Sequence, residues 1–186
     1  MPARAGTRYR PPEMAAFTAA EIEALIPRLR RFARALTGSR EAADDLTQDT
    51  LERAWVKREL WQAGTNLRAW LFAVMHGVFV NGVRRARVTE SLDGPDGAGA
   101  DRADAAASAE TEIAVRDLRQ ALLRLPDEQR EVVLLVGLEQ LSYAEAAEVL
   151  GVPMGTVMSR LARGRERLRR LLEEGASGQH GLRRVK

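Results

Sequence analysis

The stretch LSYAEAAEVLGVPMGTVMSRLARGRERLRR, residues 141–170, leaves the chain few folding options. Ser142 and Glu145 have the S-x-x-E spacing of a capping box, in which each side chain satisfies a backbone N–H of an opening helical turn. Ala144, Ala147 and Leu150 repeat at i, i+3, i+6 and predict a narrow apolar face of small residues. Gly151 then offers the left-handed conformation that ends a helix, and Pro153 suits the first turn of the next, where its missing N–H costs nothing. Val157 and Leu161, one turn apart, are expected to face back onto the first helix. With Ala147 and Gly151 they permit two helices to cross closely and steeply, as a helix-turn-helix requires. The outer face then carries Thr156, Met158, Ser159, Arg160, Ala162 and Arg163, with Arg165, Arg167, Arg169 and Arg170 beyond them. A hairpin with a solvated basic face would share much of this pattern. Cap, small-residue crossing, glycine turn and basic second helix occurring together favour a reader of duplex DNA.

Charge supports that reading by its distribution more than by its total. The net charge of +3 is mild for 186 residues, but acidic residues gather at 44–52 and 101–117 and arginines at 84–87 and 160–170. Only Lys57 and Lys186 are lysines among the 29 basic residues, a chain-wide bias that reflects composition more than phosphate recognition. With no cysteine, disulfides, thiolate metal sites and thiol sensing within the chain are excluded. No apolar run is long enough to cross a bilayer, and no signal-peptide core opens the chain, so a soluble cytoplasmic protein is expected.

In chain order, residues 1–16 are Pro-rich and basic and read as a disordered leader. Thr18 and Glu21 repeat the capping-box spacing. They open a helix whose Ile22, Leu25, Ile26, Leu29, Phe32, Ala33 and Leu36 hold helical spacing, with Pro27 an awkward interior residue. Gly38 ends that helix and Ser39 caps the next, SREAADDLTQDTLERAWVKR. There Leu46, Thr50, Ala54 and Trp55 are expected to be buried. Asp45, Gln48, Asp49 and Glu52, at i, i+3, i+4, i+7, share one polar edge. Three carboxylates on one edge repel one another, so the edge is either a solvated face or a docking surface for a basic partner.

Residues 61–87 form a second unusual stretch. A break at Ala63-Gly64-Thr65 is followed by a helix, capped by Thr65 or Asn66, with Leu67, Trp70, Leu71, Val74 and Val78 at core spacing. Trp61, Trp70, Phe72 and Phe79 lie beside Arg84, Arg85 and Arg87. Stacking surface next to cationic charge suits unpaired bases, although the same aromatics could be core, and Trp70 is expected there. His76 has no partner at metal-ligand spacing. Residues 88–109, rich in Gly, Asp and Ala, read as a flexible linker between two domains. Ile113, Val115, Leu118, Leu122 and Leu125 are the expected core of the next helix. Pro126 starts another, which packs through Val132, Val133, Leu135, Val136 and Leu138, and residues 173–186 read as a disordered tail. No metal cluster, nucleophile motif or phosphate loop is present, so neither an enzyme nor a cofactor is expected. The fold class is all-α: two small helical domains joined by a linker.

Four blocks, DDLTQDTLERAW (44–55), NLRAWLF (66–72), LPDEQREVVLL (125–135) and SYAEAAEVLGVPMGTVMSRLARGRERL (142–168), occur in an order that resembles the extracytoplasmic-function (ECF) sigma factors. The resemblance spans residues 18 to about 172. It implies a region two over 17–87 and a region four over 110–172, and a dissociable subunit directing core RNA polymerase to promoters. Asp45, Leu46, Gln48, Asp49 and Glu52 would dock on the β′ clamp helices, and the β flap would be a further polymerase contact. Trp61, Asn66, His76, Asn81, Arg84 and Arg85 would serve the single-stranded −10 element. Thr156, Ser159, Arg160 and Arg163 would read the −35 duplex. An anti-sigma protein would supply restraint, with no membrane and no small-molecule substrate involved. Two positions depart from the family pattern: Met158 stands where many members carry a basic residue, and Gly77 where Asn is frequent.

Two other function classes fit parts of the sequence. A stand-alone dimeric regulator would use the helix-turn-helix alone, on symmetric half-sites. A protein-binding adaptor would use the acidic helix and leave Arg160 and Arg163 idle. Neither explains why the acidic helix, the aromatic–basic stretch and the helix-turn-helix share one chain.

Overall fold

The computed structural model describes residues 17–62, 64–90 and 109–180. Among them are seven α-helices and no strand: α1 (Ala19–Thr37), α2 (Arg40–Val56), α3 (Leu67–Glu90), α4 (Ala109–Leu123), α5 (Asp127–Gly137), α6 (Tyr143–Leu150) and α7 (Met154–His180). A single 3-10 turn, Arg58–Leu60, follows α2. The predicted leader and most of the predicted linker (91–108) lie outside the described residues.

Local chemistry sets the helix ends. Thr18 and Ser142 both form the reciprocal capping box with Glu21 and Glu145. Ser39 caps α2 by accepting from the Ala42 N–H, and Asn66 Oδ1 caps α3 by accepting from the Ala69 N–H. Gly38 (φ 78°) and Gly151 (φ 61°) are left-handed at the ends of α1 and α6. The turn after α5 instead uses Gln140 at φ 55°, a non-glycine residue in a region that costs it about 1–2 kcal/mol.

Helices α1, α2 and α3 pack around Leu29, Phe32, Leu36, Leu71, Phe72 and Met75, with the Phe32 and Phe72 rings 4.9 Å apart. Thr47 and Thr50, buried on α2, return their hydroxyls to the carbonyls of Ala43 and Leu46, so they enter this core without unmet polar groups. Helices α4–α7 pack around Val132, Leu134, Leu135, Ala146, Val149, Leu150, Val157 and Leu161. α5 and α7 approach closely at Gly164. A Cβ on Gly164 would come within 2.8 Å of Val133 Cγ2, so this mid-helix glycine sets how near the two axes lie.

Several expectations need correction. In α6 the buried stripe is Ala146, Val149 and Leu150, while Ala144 is exposed. Ala147 is half-buried against the core and Leu150 is buried, so the inward face is offset from the expected one at Ala144. Ile113, Val115 and Leu118 of α4 are exposed: only the C-terminal half of that helix, with Ala121 and Leu122, reaches the core. Trp55 is exposed too, with the Arg58 guanidinium 5.5 Å over its ring. At the far end, α7 continues to His180, past the predicted boundary at 172. Leu168 and Leu171 still pack on the core, and Arg169 pairs with Glu166 (2.9 Å) and Glu173 (2.8 Å), supporting the extra turns.

The two groups of helices also pack on each other. α3 lies against α6, and α1 against α4 and α5. Gly38 approaches Leu123 so closely that a Cβ would sit 2.6 Å from a Leu123 methyl.

Candidate functional site

The four polar positions predicted along α2 are brought together on its outer face. Asp45, Gln48, Asp49 and Glu52 are all exposed, and the Gln48 amide donates to Glu52 at 3.0 Å. Asp44 differs: its carboxylate lies 3.7 Å from Arg30 and 3.9 Å from Arg40. Leu46, grouped with this edge in the sequence, is only 7 % exposed and belongs to the core, so it supports the edge from beneath. Asp49 and Glu52 line a surface cleft of about 340 Å³ together with Arg53, Val56, Lys57, Val78 and Arg85. The acidic edge of α2 and a cation of α3 thus share one cleft.

The residues anticipated for single-stranded DNA are not all equally accessible. Asn81, Arg84 and Arg85 are exposed on the outer half of α3. Trp61 is half-buried. Its ring packs edge-on to Phe17 at 5.8 Å, and its indole N–H is buried without an acceptor. Phe17 also packs on Trp70 (5.6 Å), so the two tryptophans share one small aromatic cluster. Asn66 and His76 face the other group of helices. The Asn66 amide donates to Glu145 Oε1 at 2.6 Å, and His76 Nδ1 lies 2.7 Å from Glu131 Oε1. A Cβ on Gly77 would meet nothing within 4 Å.

A third contact across the same boundary was not legible in the sequence. Glu139, in the turn after α5, has a side chain with 0 % exposure. Arg31 of α1 donates to its Oε1 at 2.9 Å, the Arg28 guanidinium lies 3.8 Å from Oε2, and Arg68 of α3 donates to the Glu139 backbone carbonyl at 3.1 Å. Glu139 therefore meets three arginines of the first helix group. The only sequence signal was a carboxylate set inside the apolar run LLVGLEQL, with nothing to identify its partner.

Electrostatics reinforce the boundary on the α6 side. Hydrogen bonds from the Ser142 backbone and hydroxyl hold the Glu145 carboxyl below its usual range, and the Asn66 amide adds to them. Arg130 of α5 is displaced downward by burial, opposed by Asp127 and Glu131. It donates to the Leu123 carbonyl at 3.1 Å and pairs with Asp127, tying the end of α4 to α5.

On α7, Ser159 and Arg163 are exposed neighbours, with Arg163 Nε donating to the Ser159 carbonyl at 3.2 Å. Thr156 is half-buried, and Arg160 is half-buried in an ion pair with Glu128 at 2.6 Å. Of the four predicted readers, two are free to approach a groove, one is partly covered and one braces α7 on α5.

Comparison with known proteins matches both halves of the chain. Residues 22–76 match the family described as the sigma2 domain of PhyR, and residues 116–168 match sigma-70 region 4. The ECF RNA polymerase sigma factor EcfG of Rhodopseudomonas palustris is 38% identical over 152 residues, covering 82% of this chain and 83% of its own. The ECF RNA polymerase sigma factor SigM of Mycobacterium tuberculosis is 38% identical over 144 residues, covering 77% of this chain and 71% of its own. Among solved structures, the sigma factor RpoE in complex with the anti-sigma factor NepR from Bartonella quintana superposes with a TM-score of 0.72 at 35% identity, covering 83% of this chain and 95% of that one. CnrH in complex with the cytosolic domain of CnrY gives 0.61 at 25% identity, covering 87% and 94%.

Proposed function

The chain belongs to the ECF RNA polymerase sigma factors, and from the placement of its charged faces we propose how that function is divided among its helices. It directs promoter-specific initiation by core polymerase and is held in check by an anti-sigma factor, without enzymatic activity of its own and in the cytoplasm. Residues 17–87 serve core binding and the −10 element, and residues 110–172 serve the −35 element. Asp45, Gln48, Asp49 and Glu52 dock on a basic surface of polymerase, where charge sets orientation and encounter rate. Asn81, Arg84 and Arg85 hold the opened −10 strand, with phosphate neutralisation the main source of affinity. Ser159 and Arg163 enter the −35 major groove.

The carrying observation is the exposed acidic edge of α2 on the same chain as a helix-turn-helix with Ser159 and Arg163 turned to solvent. The two DNA-facing regions cannot act at once in this arrangement. Elements centred near −10 and −35 are on the order of 25 base pairs apart, about 85 Å at roughly 3.4 Å per step. A globule of this length has a radius of gyration of about 16 Å. Initiation therefore requires α4–α7 to leave α1–α3, freeing Asn66 and His76 from Glu145 and Glu131 for the strand.

The test is transcription by purified core polymerase with the wild-type chain or with Asp45, Asp49 and Glu52 all changed to Ala. Discrete start sites that need the chain, and that fall at least ten-fold with the triple variant, are expected. Unchanged start sites would remove the docking role from α2. Protection of a palindromic duplex by the chain alone, with no gain of start sites, would favour a stand-alone regulator.

A further inference from the structure

The outer face of α7 divides into two parallel lines. Met154, Met158 and Ala162 fall at i, i+4, i+8 and are all exposed, the two methionines at 51% and 49%. Ser159 and Arg163 form the neighbouring line, also exposed. The first line starts at the first residue of the helix, and in a helix-turn-helix the N-terminal residues of the second helix meet base edges. It carries no charge for phosphate and no strong donor or acceptor for a base edge. Among groups exposed in the major groove, the thymine C5-methyl is the one apolar feature.

We propose that Met154 and Met158 set −35 specificity by packing on thymine methyl groups, while Ser159 and Arg163 supply the polar contacts beside them. The inference rests on reading α7 as the −35 helix. An unbranched thioether with three rotatable bonds suits this task, because it adjusts to a methyl without fixed geometry.

The experiment uses holoenzyme assembled from core polymerase and the full chain. A duplex library randomised across the −35 region is selected first. Each thymine of the selected element, on either strand, is then replaced singly by deoxyuridine, which removes only the methyl. Binding is compared for the wild type, a Met154→Ala/Met158→Ala variant and a Ser159→Ala/Arg163→Ala variant. For the wild type, at least one thymine-to-uridine exchange should weaken binding about three- to five-fold, the scale of one buried methyl. The methionine variant should bind both duplexes alike, leaving the two changes coupled.

Wild-type indifference to every uridine overturns the proposal, as does an equal loss in wild type and methionine variant. If the methionine variant loses affinity by the same factor on both templates, the strip does not read the methyl and the proposal falls. If the serine–arginine variant selects the same −35 sequence as wild type, the reading of α7 itself has failed. If that variant shifts the selected sequence while uridine is tolerated throughout, only the methyl inference fails. The uridine exchange on wild type needs no altered protein, so a folding defect in a variant does not blunt it.

Discussion

The two helices proposed to face DNA, α3 and α7, are both long and carry arginine clusters, yet they are presented in opposite ways. α7 holds Ser159, Arg163, Met154 and Met158 open to solvent, while Arg160 is drawn into an ion pair with Glu128 of α5. α3 holds Asn81, Arg84 and Arg85 open, while Asn66 and His76 point into the second helix group and are met by its carboxylates. The polar outer line of α7 stays on its own module, whereas part of the polar face of α3 joins the two modules. Polar contacts at Asn66, His76 and Glu139 supplement apolar packing between the modules, and hydrogen bonds of this kind can be exchanged for water at modest net cost.

The most disruptive way to break the contrast is at Gly38. Gly38→Val places a β-branched residue at φ 78° and drives its Cβ into Leu123. A loss of about 2–4 kcal/mol is expected from strain and overpacking together, read from the shift in urea midpoint at constant slope. Amide exchange should rise in α1 and α4, with the first turns of α7 protected relative to them.

Next is Glu139→Ala, which removes the carboxylate beneath Arg28 and Arg31. Breaking a fully buried pair costs about 3–5 kcal/mol, but these arginines are about half exposed and retain water, so about 1–3 kcal/mol is expected. Amide exchange should quicken where α1 meets the turn after α5, while −35 duplex binding by the holoenzyme stays unchanged. An unchanged boundary would show that apolar packing alone holds the modules together.

The smallest expected effect is that of Ser142→Ala, at about 1 kcal/mol for a lost cap. It also removes the hydroxyl hydrogen bond, one of those that hold the Glu145 pKa down, and leaves the larger one from the backbone N–H of residue 142 in place. Glu145 titrates lower folded than unfolded, so its contribution is full above the ordinary glutamate value of about 4.3 and fades as pH falls through the depressed value. The stability gap between wild type and Ser142→Ala should therefore narrow below about pH 4, measured by thermal unfolding across pH. A gap that stays constant with pH would detach Glu145 from the cap.

Much of this molecule could be read directly from its residues. The capping boxes, the glycine stops, the inward set of α1 and the exposed polar edge of α2 follow from spacing alone. Each is decided within two or three turns of backbone. The exposure of the apolar residues at the start of α4 and of Ala144 in α6 is not set by spacing. Periodicity identifies an apolar stripe but not how much of it finds a partner.

What only the tertiary structure decided is how the modules meet. Glu139, Glu131 and Glu145 lie far along the chain from Arg31, His76 and Asn66, and no local pattern couples them. Helix formation is governed by neighbours three and four residues apart. A polar boundary between modules is governed by which surfaces fit at all, and the choice among many candidate carboxylate–cation pairs falls to shape and desolvation in the assembled fold.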